Sequence, residues 1–460
     1  MATRSVTLAK PSYARGKQLA RQIFMETMAT IDVRHAMLTK VKREGGTLVA
    51  GDVSIPLLRP PRVIAFGKAA RRMAATLDEI LKSGVEAGVV VAPAEPEKKL
   101  DRYRYFRAGH PYPDAGSVQG AGAALELLSG LTGDDLVIFL VSGGGSALFE
   151  KPLDQAITLA DLVEFNRVLV TGGLPIEQIN VLRKHLSAVK GGRLAIQAHP
   201  ARQLTIFVSD VPEDLPSMVA SGPTMPDEST AQQCYSIAEQ HGLASKFPPS
   251  VRKHYTGRTL EETPKPGDAR FENSRYYCLL SNRDAVEAAQ ACADQLGFRS
   301  EVDRDDWDRD YQEVARGNLA ALDRLAQASG GQPVCLVVGG EVTCPVTGPG
   351  TGGRNQAFVL YAAQQIQGQR RVVLSAGTDG RDVNSPVGGS LADGQTLSRA
   401  RARGLDPAHF LAASDSYHFF RALGDTIETG FTDNNVRDVR LWLDFGSGSG
   451  PEGEVGTRLP

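Results

Sequence analysis

Short, continuous apolar runs alternate with helix-patterned stretches along most of this chain. RVIAF (62–66) precedes KAARRMAATLDEILKSG, and AGVVVAP (87–93) follows. YRYFRAG (103–109) leads through HPYPDAG into SVQGAGAALELLSGL. DLVIFLVSGGGSALF (135–149) and QLTIFVSDVPED (203–214) repeat the change from apolar run to loop. A run that is apolar at every position suits a strand buried on both faces. Alternation with helices then predicts βαβ units around a parallel sheet. The pattern pauses at 255–274, a polar stretch with prolines and glycines that reads as a linker or a surface excursion. It resumes at 276–297, at 333–347 (strand, turn and second strand, an antiparallel ribbon) and at 371–380. The expected organisation is two α/β domains, 1–265 and 266–445, followed by a low-complexity, flexible tail at 446–460.

Composition narrows the class. The 460 residues are 42% hydrophobic and 23% charged, with a formal net charge of −2. That is ordinary for a globular protein. There is no block of like charge to suggest nucleic-acid binding, and no apolar run approaches the roughly 20 residues that span a bilayer. The five cysteines, Cys234, Cys278, Cys292, Cys335 and Cys344, form no C-x-x-C pair and no zinc spacing. A reducing compartment, the cytoplasm, is the simplest expectation. The first 24 residues are basic and free of acids, as a transit peptide would be. Residues 14–31 also read as an amphipathic helix, and a helix is the expectation.

In open α/β sheets ligands bind beyond the carboxyl ends of strands. Six such ends here carry Ser, Lys, Asp or Glu, four of them beside glycine: Gly67–Lys68, Ser142–Ser146, Ser209–Asp214, Ser281–Asp284, Gly339–Glu341 and Ala376–Gly380. Ser142, Gly143, Gly144, Gly145 and Ser146 form a candidate anion cradle, because glycines let backbone N–H groups approach phosphate oxygens. The alternative is a tight turn. TGPGTGGRNQAF (347–358) is a second candidate cradle, with Gly352 and Gly353 before Arg354. Lys68 and Arg354 are both cations at helix starts, where the dipole disfavours them unless an anion is near. Gly348, Gly350 and Gly353 also match the G-x-G-x-x-G spacing of a dinucleotide site, but the next acid, Asp379, comes late for that pattern. No Walker A, H-R-D, D-F-G or G-x-S-x-G element is present. Asp210, Glu213, Asp214, Glu341, Asp379 and Asp382 are carboxylates that phosphoryl transfer could use for Mg²⁺ or for a substrate proton. Arg183 and Lys190 could share a helix face that meets anions, or belong to a solvated helix ending at Gly191–Gly192. His110 is read as a structured loop residue, with contact to substrate as the alternative.

The ordered set GKAA (67–70), GHPYPD (109–114), LVSGGGSAL (140–148), LRKHLSAVKGGRLA (182–195), SDVPEDLPSMVASGPT (209–224), GGEVT (339–343), GGRNQAFVL (352–360), AGTDG (376–380), SDSYHFF (414–420) and NVRD (435–438) resembles the glycerate 2-kinase family with a C-terminal MOFRL domain. The resemblance runs from about residue 14 to 443. It implies an N-terminal doubly wound, Rossmann-like parallel sheet, a C-terminal MOFRL-type domain with a mixed sheet, and an active site in the cleft between them. The implied reaction is phosphorylation of the 2-hydroxyl of D-glycerate with ATP and Mg²⁺, by a monomer or homodimer. Carried over by position, Lys68 and Arg354 match the family's catalytic cations. Asp210 matches its base or Mg²⁺ ligand, and Ser142–Ser146 its phosphate loop. Glu341, Asp379, Asn355 and Lys190 are further substrate or metal candidates. An NAD(P)H-dependent hydroxypyruvate reductase, or a kinase for a related small 2-hydroxy acid, is the alternative.

Three loops depart from the family pattern. Glu213 and Asp433 stand where glycine is usual, and DVNSPVGGS (382–390) loses the second acid that the family usually carries a few residues after the first. An altered acceptor preference is the expected consequence if these side chains meet the substrate.

Overall fold

The computed structural model describes residues 12–82, 84–304 and 307–446. The expected tail therefore lies, beyond Gly446, outside the described residues. The chain divides into two compact units. One runs from Val33 to Leu280, and the other joins the stretch ending at Asp32 to the chain from Ser281 onward.

The first unit is built on six parallel strands, Arg62–Phe66, Ala87–Ala92, Tyr103–Arg107, Leu136–Val141, Arg202–Val208 and Ser274–Leu280. Numbered along the chain, they lie side by side in the order 3-2-1-4-5-6. This is a doubly wound sheet whose winding reverses between Arg62–Phe66 and Leu136–Val141. Every residue of Leu136–Val141 is buried, as a strand covered on both faces requires. Helices Ala70–Ile80 and Ala115–Leu127 are among those packed on the sheet. Gly120 permits a close approach, since a Cβ there would lie 2.5 Å from Val91. Ile64, Phe66, Val89, Val137, Phe139 and Phe149 form the centre of this core. Helices Leu159–Thr171, Ile176–Leu186, Ala231–Gln240 and Pro249–Thr256 enclose a second core around Phe165, Leu182 and Phe247. An antiparallel sheet, Val41–Glu44, Thr47–Ala50 and Val53–Pro56, precedes the main one.

The second unit carries a mixed sheet in the order Arg299–Asp303, Val334–Val338, Asp438–Asp444, Arg371–Gly377, Gly389–Asp393, Thr426–Ile427. Only the first pair is parallel. Helices Tyr311–Ala328 and Arg354–Gln365 pack on a face that includes Val373 and Trp442. The alternate residue Val372 meets helix Tyr13–Thr30, because successive side chains of a strand point to opposite faces. Gly16 allows that contact: a Cβ there would already stand 3.0 Å from Val372 and from Phe445.

The expected division of the chain needs revision. The polar stretch 255–274 is a surface excursion and not a linker. Thr263 within it is buried, and its hydroxyl donates to Asp227 at 2.8 Å. The strand after it, Ser274–Leu280, pairs in parallel with Arg202–Val208, so the boundary falls after Leu280 and not near 265. The first helix belongs with the later sequence, where Lys17 pairs with Asp425 at 2.7 Å and Arg21 donates to the Thr426 carbonyl at 2.8 Å. The expected antiparallel ribbon at 333–347 also differs. Val334–Val338 enters the mixed sheet, whereas Glu341–Thr343 pairs in parallel with Trp307–Asp310. Among the described residues, no helix is long and apolar enough to cross a membrane.

Candidate functional site

The register of the parallel sheet aligns Phe66, Val141 and Phe207 on adjacent strands. The loops that follow, at Gly67–Lys68, Ser142–Gly145 and Ser209–Asp210, therefore leave from one edge, at the point where the winding reverses. Neighbouring strands lie only about 4.8 Å apart, so the first two loops interlock. The Lys68 N–H donates to the Gly143 carbonyl at 2.9 Å, and the Ala69 N–H donates to Ser142 Oγ at 3.0 Å. Gly67 has φ +115, and a Cβ there would collide with Ser142 Oγ at 2.3 Å. Gly144 has φ +82, and a Cβ there would stand 3.3 Å from both Lys68 Cγ and His110 Cδ2. Glycine at 144 thus lets the Lys68 stem and the exposed His110 ring pack close to the loop backbone. Lys68 and Asp210 are each partly exposed. The remaining members of the loop have inward roles: Gly145 faces Ala220, and Ser146 Oγ lies 2.8 Å from Ser221 Oγ.

In the second unit Arg354 begins helix Arg354–Gln365. Its Nε and Nη2 donate to the two oxygens of Asp438 at 2.8 and 3.0 Å, and its Nη1 lies 2.9 Å from Glu341 Oε1. Asp438 is fully buried, whereas the Arg354 side chain keeps 22% of its surface. Burial works against the Arg354 charge, but Asp438 and then Glu341 outweigh it and hold the guanidinium pKa above its ordinary value. Burial likewise opposes the Asp438 carboxylate, and Arg354 more than compensates, leaving its pKa lowered. The second oxygen of Glu341 pairs with Arg437 Nη1. Gly377 approaches both Asp379 and Asp438, so these acids border the same cluster; Asp379 also accepts from the Arg381 N–H at 3.0 Å.

The second expected cradle is filled from within. The N–H groups of Gly350, Thr351 and Gly352 donate to Ala413 O, Asp415 Oδ1 and Asn384 Oδ1 at 3.0, 2.9 and 2.9 Å. The anion at the helix start is Asp382, which accepts from the N–H groups of Asn355 and Gln356 at 3.1 and 2.9 Å. Gly353 is glycine because a Cβ would strike Asp382 at 2.2 Å. Gly348 and Gly350 make similar room for Ala413 and Asp415. Gly352 and Gly353 therefore have packing roles here, and the G-x-G-x-x-G spacing serves chain-to-chain contact. Asp382 is fully buried, and burial pushes its carboxyl pKa up to about 7.

Two further candidates turn inward. Lys190 is fully buried; its ammonium donates to Glu150 Oε2 at 2.5 Å and to the Phe149 carbonyl at 3.1 Å. It shares no helix with Arg183, because that helix ends at Leu186, and Gly192 begins the next one. Asn355 is buried and accepts from the Ser375 hydroxyl at 2.5 Å. Glu213 is exposed, and Asp433 sits at φ +53, a conformation in which glycine is easiest and Asp is tolerated. Sequence reasoning missed Arg437 and Asp438 as site residues, although they lie in NVRD. A charged pair at the entrance of an apolar strand was the available signal.

The class defined here is a two-unit α/β protein, with a lysine and glycine loop at the switch point of one unit and a carboxylate-clamped arginine in the other. Residues 19–256 match the model of a domain of unknown function, DUF4147, and residues 334–438 match the MOFRL family. The chain belongs to the glycerate 2-kinase family that carries a C-terminal MOFRL region. It is 36% identical over 396 residues to the D-glycerate 2-kinase of Thermotoga maritima, covering 85% of this chain and 92% of that one. The glycerate 2-kinase of Pyrococcus horikoshii is 32% identical over 92% of this chain and 96% of its own. The crystal structure of glycerate kinase from Thermotoga maritima superposes with a TM-score of 0.80 at 32% identity, covering 93% of this chain and 99% of that one.

Proposed function

We infer that the protein is an ATP-dependent kinase that phosphorylates the 2-hydroxyl of D-glycerate. The observation that carries this reading is the interlocked pair of loops at the switch point, where Lys68 stands beside the glycine turn at Gly143–Gly145. Doubly wound sheets bind phosphorylated ligands at this position, and an ammonium beside glycine backbone suits a polyphosphate. The near full-length relation to the D-glycerate 2-kinase of Thermotoga maritima supports the acceptor.

Phosphoryl transfer asks a protein for position and for positive charge on the transferring oxygens. Lys68 supplies a point charge. Arg354 supplies a planar fork already oriented by Asp438 and Glu341, so little reorganisation remains when charge develops. Gly143 and Gly144 let the chain backbone approach the nucleotide's phosphates. Asp210, at the same edge, would accept the acceptor's proton or hold Mg²⁺. Among the described residues no group of three or more His, Cys, Asp or Glu could cage a metal. Mg²⁺ would be carried mainly on the nucleotide phosphates, with Asp210 as its protein carboxylate, and would neutralise phosphate charge. None of the five cysteines is in a disulfide, which suits a reducing compartment.

ADP release on mixing protein, ATP, Mg²⁺ and D-glycerate tests the reading. Turnover that requires both substrates is expected. NAD(P)H oxidation with hydroxypyruvate and no ADP release would replace the kinase with a reductase.

A further inference from the structure

Arg354, already clamped by Asp438, is also the first of three charges linked through Glu341. Glu341 joins it, through one carboxylate oxygen each, to Arg437. The three side chains keep 22, 17 and 24% of their surfaces, so each has one side in the protein and one toward solvent. We propose that Arg437 is a positioning residue for Arg354, acting through Glu341; this rests on the kinase reading.

The backbone is built to hold Arg437 in place. Its φ of +67 is unfavourable for a residue with a side chain. Two hydrogen bonds to its carbonyl hold it there, from the Thr378 N–H at 3.0 Å and the Thr378 hydroxyl at 2.8 Å. The spacing between the two segments is fixed as well. Asn282 accepts from the Gly340 N–H at 2.9 Å and donates to the Val436 and Asp438 carbonyls at 2.7 and 3.1 Å. Glu341 follows directly on the first segment, and Arg437 lies within the second. A Glu341 carboxylate already fixed by Arg437 meets Arg354 with less loss of side-chain freedom than a solitary partner would. Asp438 grips one edge of the Arg354 fork and Glu341 the adjoining nitrogen, and together they set the plane in which the remaining N–H groups point. Misplacing a reacting group by about 1 Å can cost 100-fold in rate, so the Glu341 contact has a kinetic consequence through Arg354.

The test compares Arg437→Met, Arg437→Lys, Glu341→Gln and the Glu341→Gln/Arg437→Met double variant. Arg437→Met is expected to lower kcat about tenfold, a change of about 1.4 kcal/mol, with KM for ATP and for D-glycerate changed less than about twofold. Arg437→Lys should restore most of kcat. In the Glu341→Gln background Arg437→Met should do nothing more, because its route is already cut. A crystal structure of Arg437→Met should show Glu341 turned away from Arg354 Nη1. Multiplying losses in the double variant, a KM effect on one substrate alone, unchanged kinetics, or a loss of melting temperature that Lys does not rescue would each overturn the proposal. So would a Glu341 carboxylate that stays on Arg354 in the variant crystal. If the unmodified protein releases no ADP with D-glycerate, the kinase reading fails, while the crystal comparison still decides the role of Arg437.

Discussion

Lys68 and Arg354 are both cations at helix starts, yet the fold treats them differently. Lys68 is partly exposed on a loop whose geometry is held by backbone contacts around it. Lys68→Met should therefore lower turnover by at least about 100-fold, the scale of one preorganised donor at about 3 kcal/mol, and leave the melting temperature unchanged. Normal turnover in this variant would remove Lys68 from the site. Arg354 cannot be tested by alanine alone. Its loss would leave Asp438, which is fully buried, without its guanidinium, and breaking a buried pair typically costs about 3–5 kcal/mol. Arg354→Lys keeps the charge and loses the fork. It should fold, and its turnover should fall by more than about tenfold, because one ammonium cannot satisfy Asp438, Glu341 and a phosphoryl group together. Steady-state rates alongside thermal unfolding separate the two effects.

At the scale of the element, helix Arg354–Gln365 is started by a carboxylate from elsewhere in the chain. Asp382 accepts two of its first N–H groups. In the fold its pKa is raised to about 7 by burial, from an ordinary value of about 3.9. Ionising Asp382 is therefore easier in the unfolded chain. Its contribution to stability is complete below about pH 4 and is lost as the pH rises toward 7. Asp382→Asn cannot ionise there. The melting temperature of the variant minus that of the unmodified protein should thus become more positive between pH 5 and pH 8. A constant difference would mean that Asp382 does not titrate in this range. This helix start also shows why part of the site was not legible. The glycines before Arg354 and the dipole argument pointed to an anion, and an anion is there. Sequence gives no means of telling a bound phosphate from Asp382, 28 residues further on, because pairing over that span is decided by the fold.

At the scale of the molecule, the first sheet, and Val334–Val338 and Arg371–Gly377 of the second, were legible mainly as apolar runs with a glycine or polar stop, whereas Arg299–Asp303, Gly389–Asp393, Thr426–Ile427 and Asp438–Asp444 were not, because a half-exposed strand such as Arg299–Asp303 or a very short one carries no such run. Lys68, Asp210 and the Gly143–Gly145 turn were legible for the same reason, since they sit where such runs end. The assignment of segments to units was not. The first helix is joined to a sheet formed hundreds of residues later through Gly16, Lys17 and Arg21, and no local signal marks such a contact. Removing residues 1–32 should therefore destabilise the unit that begins at Ser281, by uncovering Val372 and Phe445 and leaving Asp425 without Lys17. Thermal unfolding of the truncated chain checks this, and an unchanged melting temperature would contradict it. The central claim is one reaction, transfer from ATP to the 2-hydroxyl of D-glycerate. Phosphorus NMR of the product formed from ATP, Mg²⁺ and D-glycerate measures it most directly. The account predicts the resonance of 2-phosphoglycerate, growing in step with ADP; a 3-phosphoglycerate resonance, or no phosphorylated glycerate at all, would contradict it.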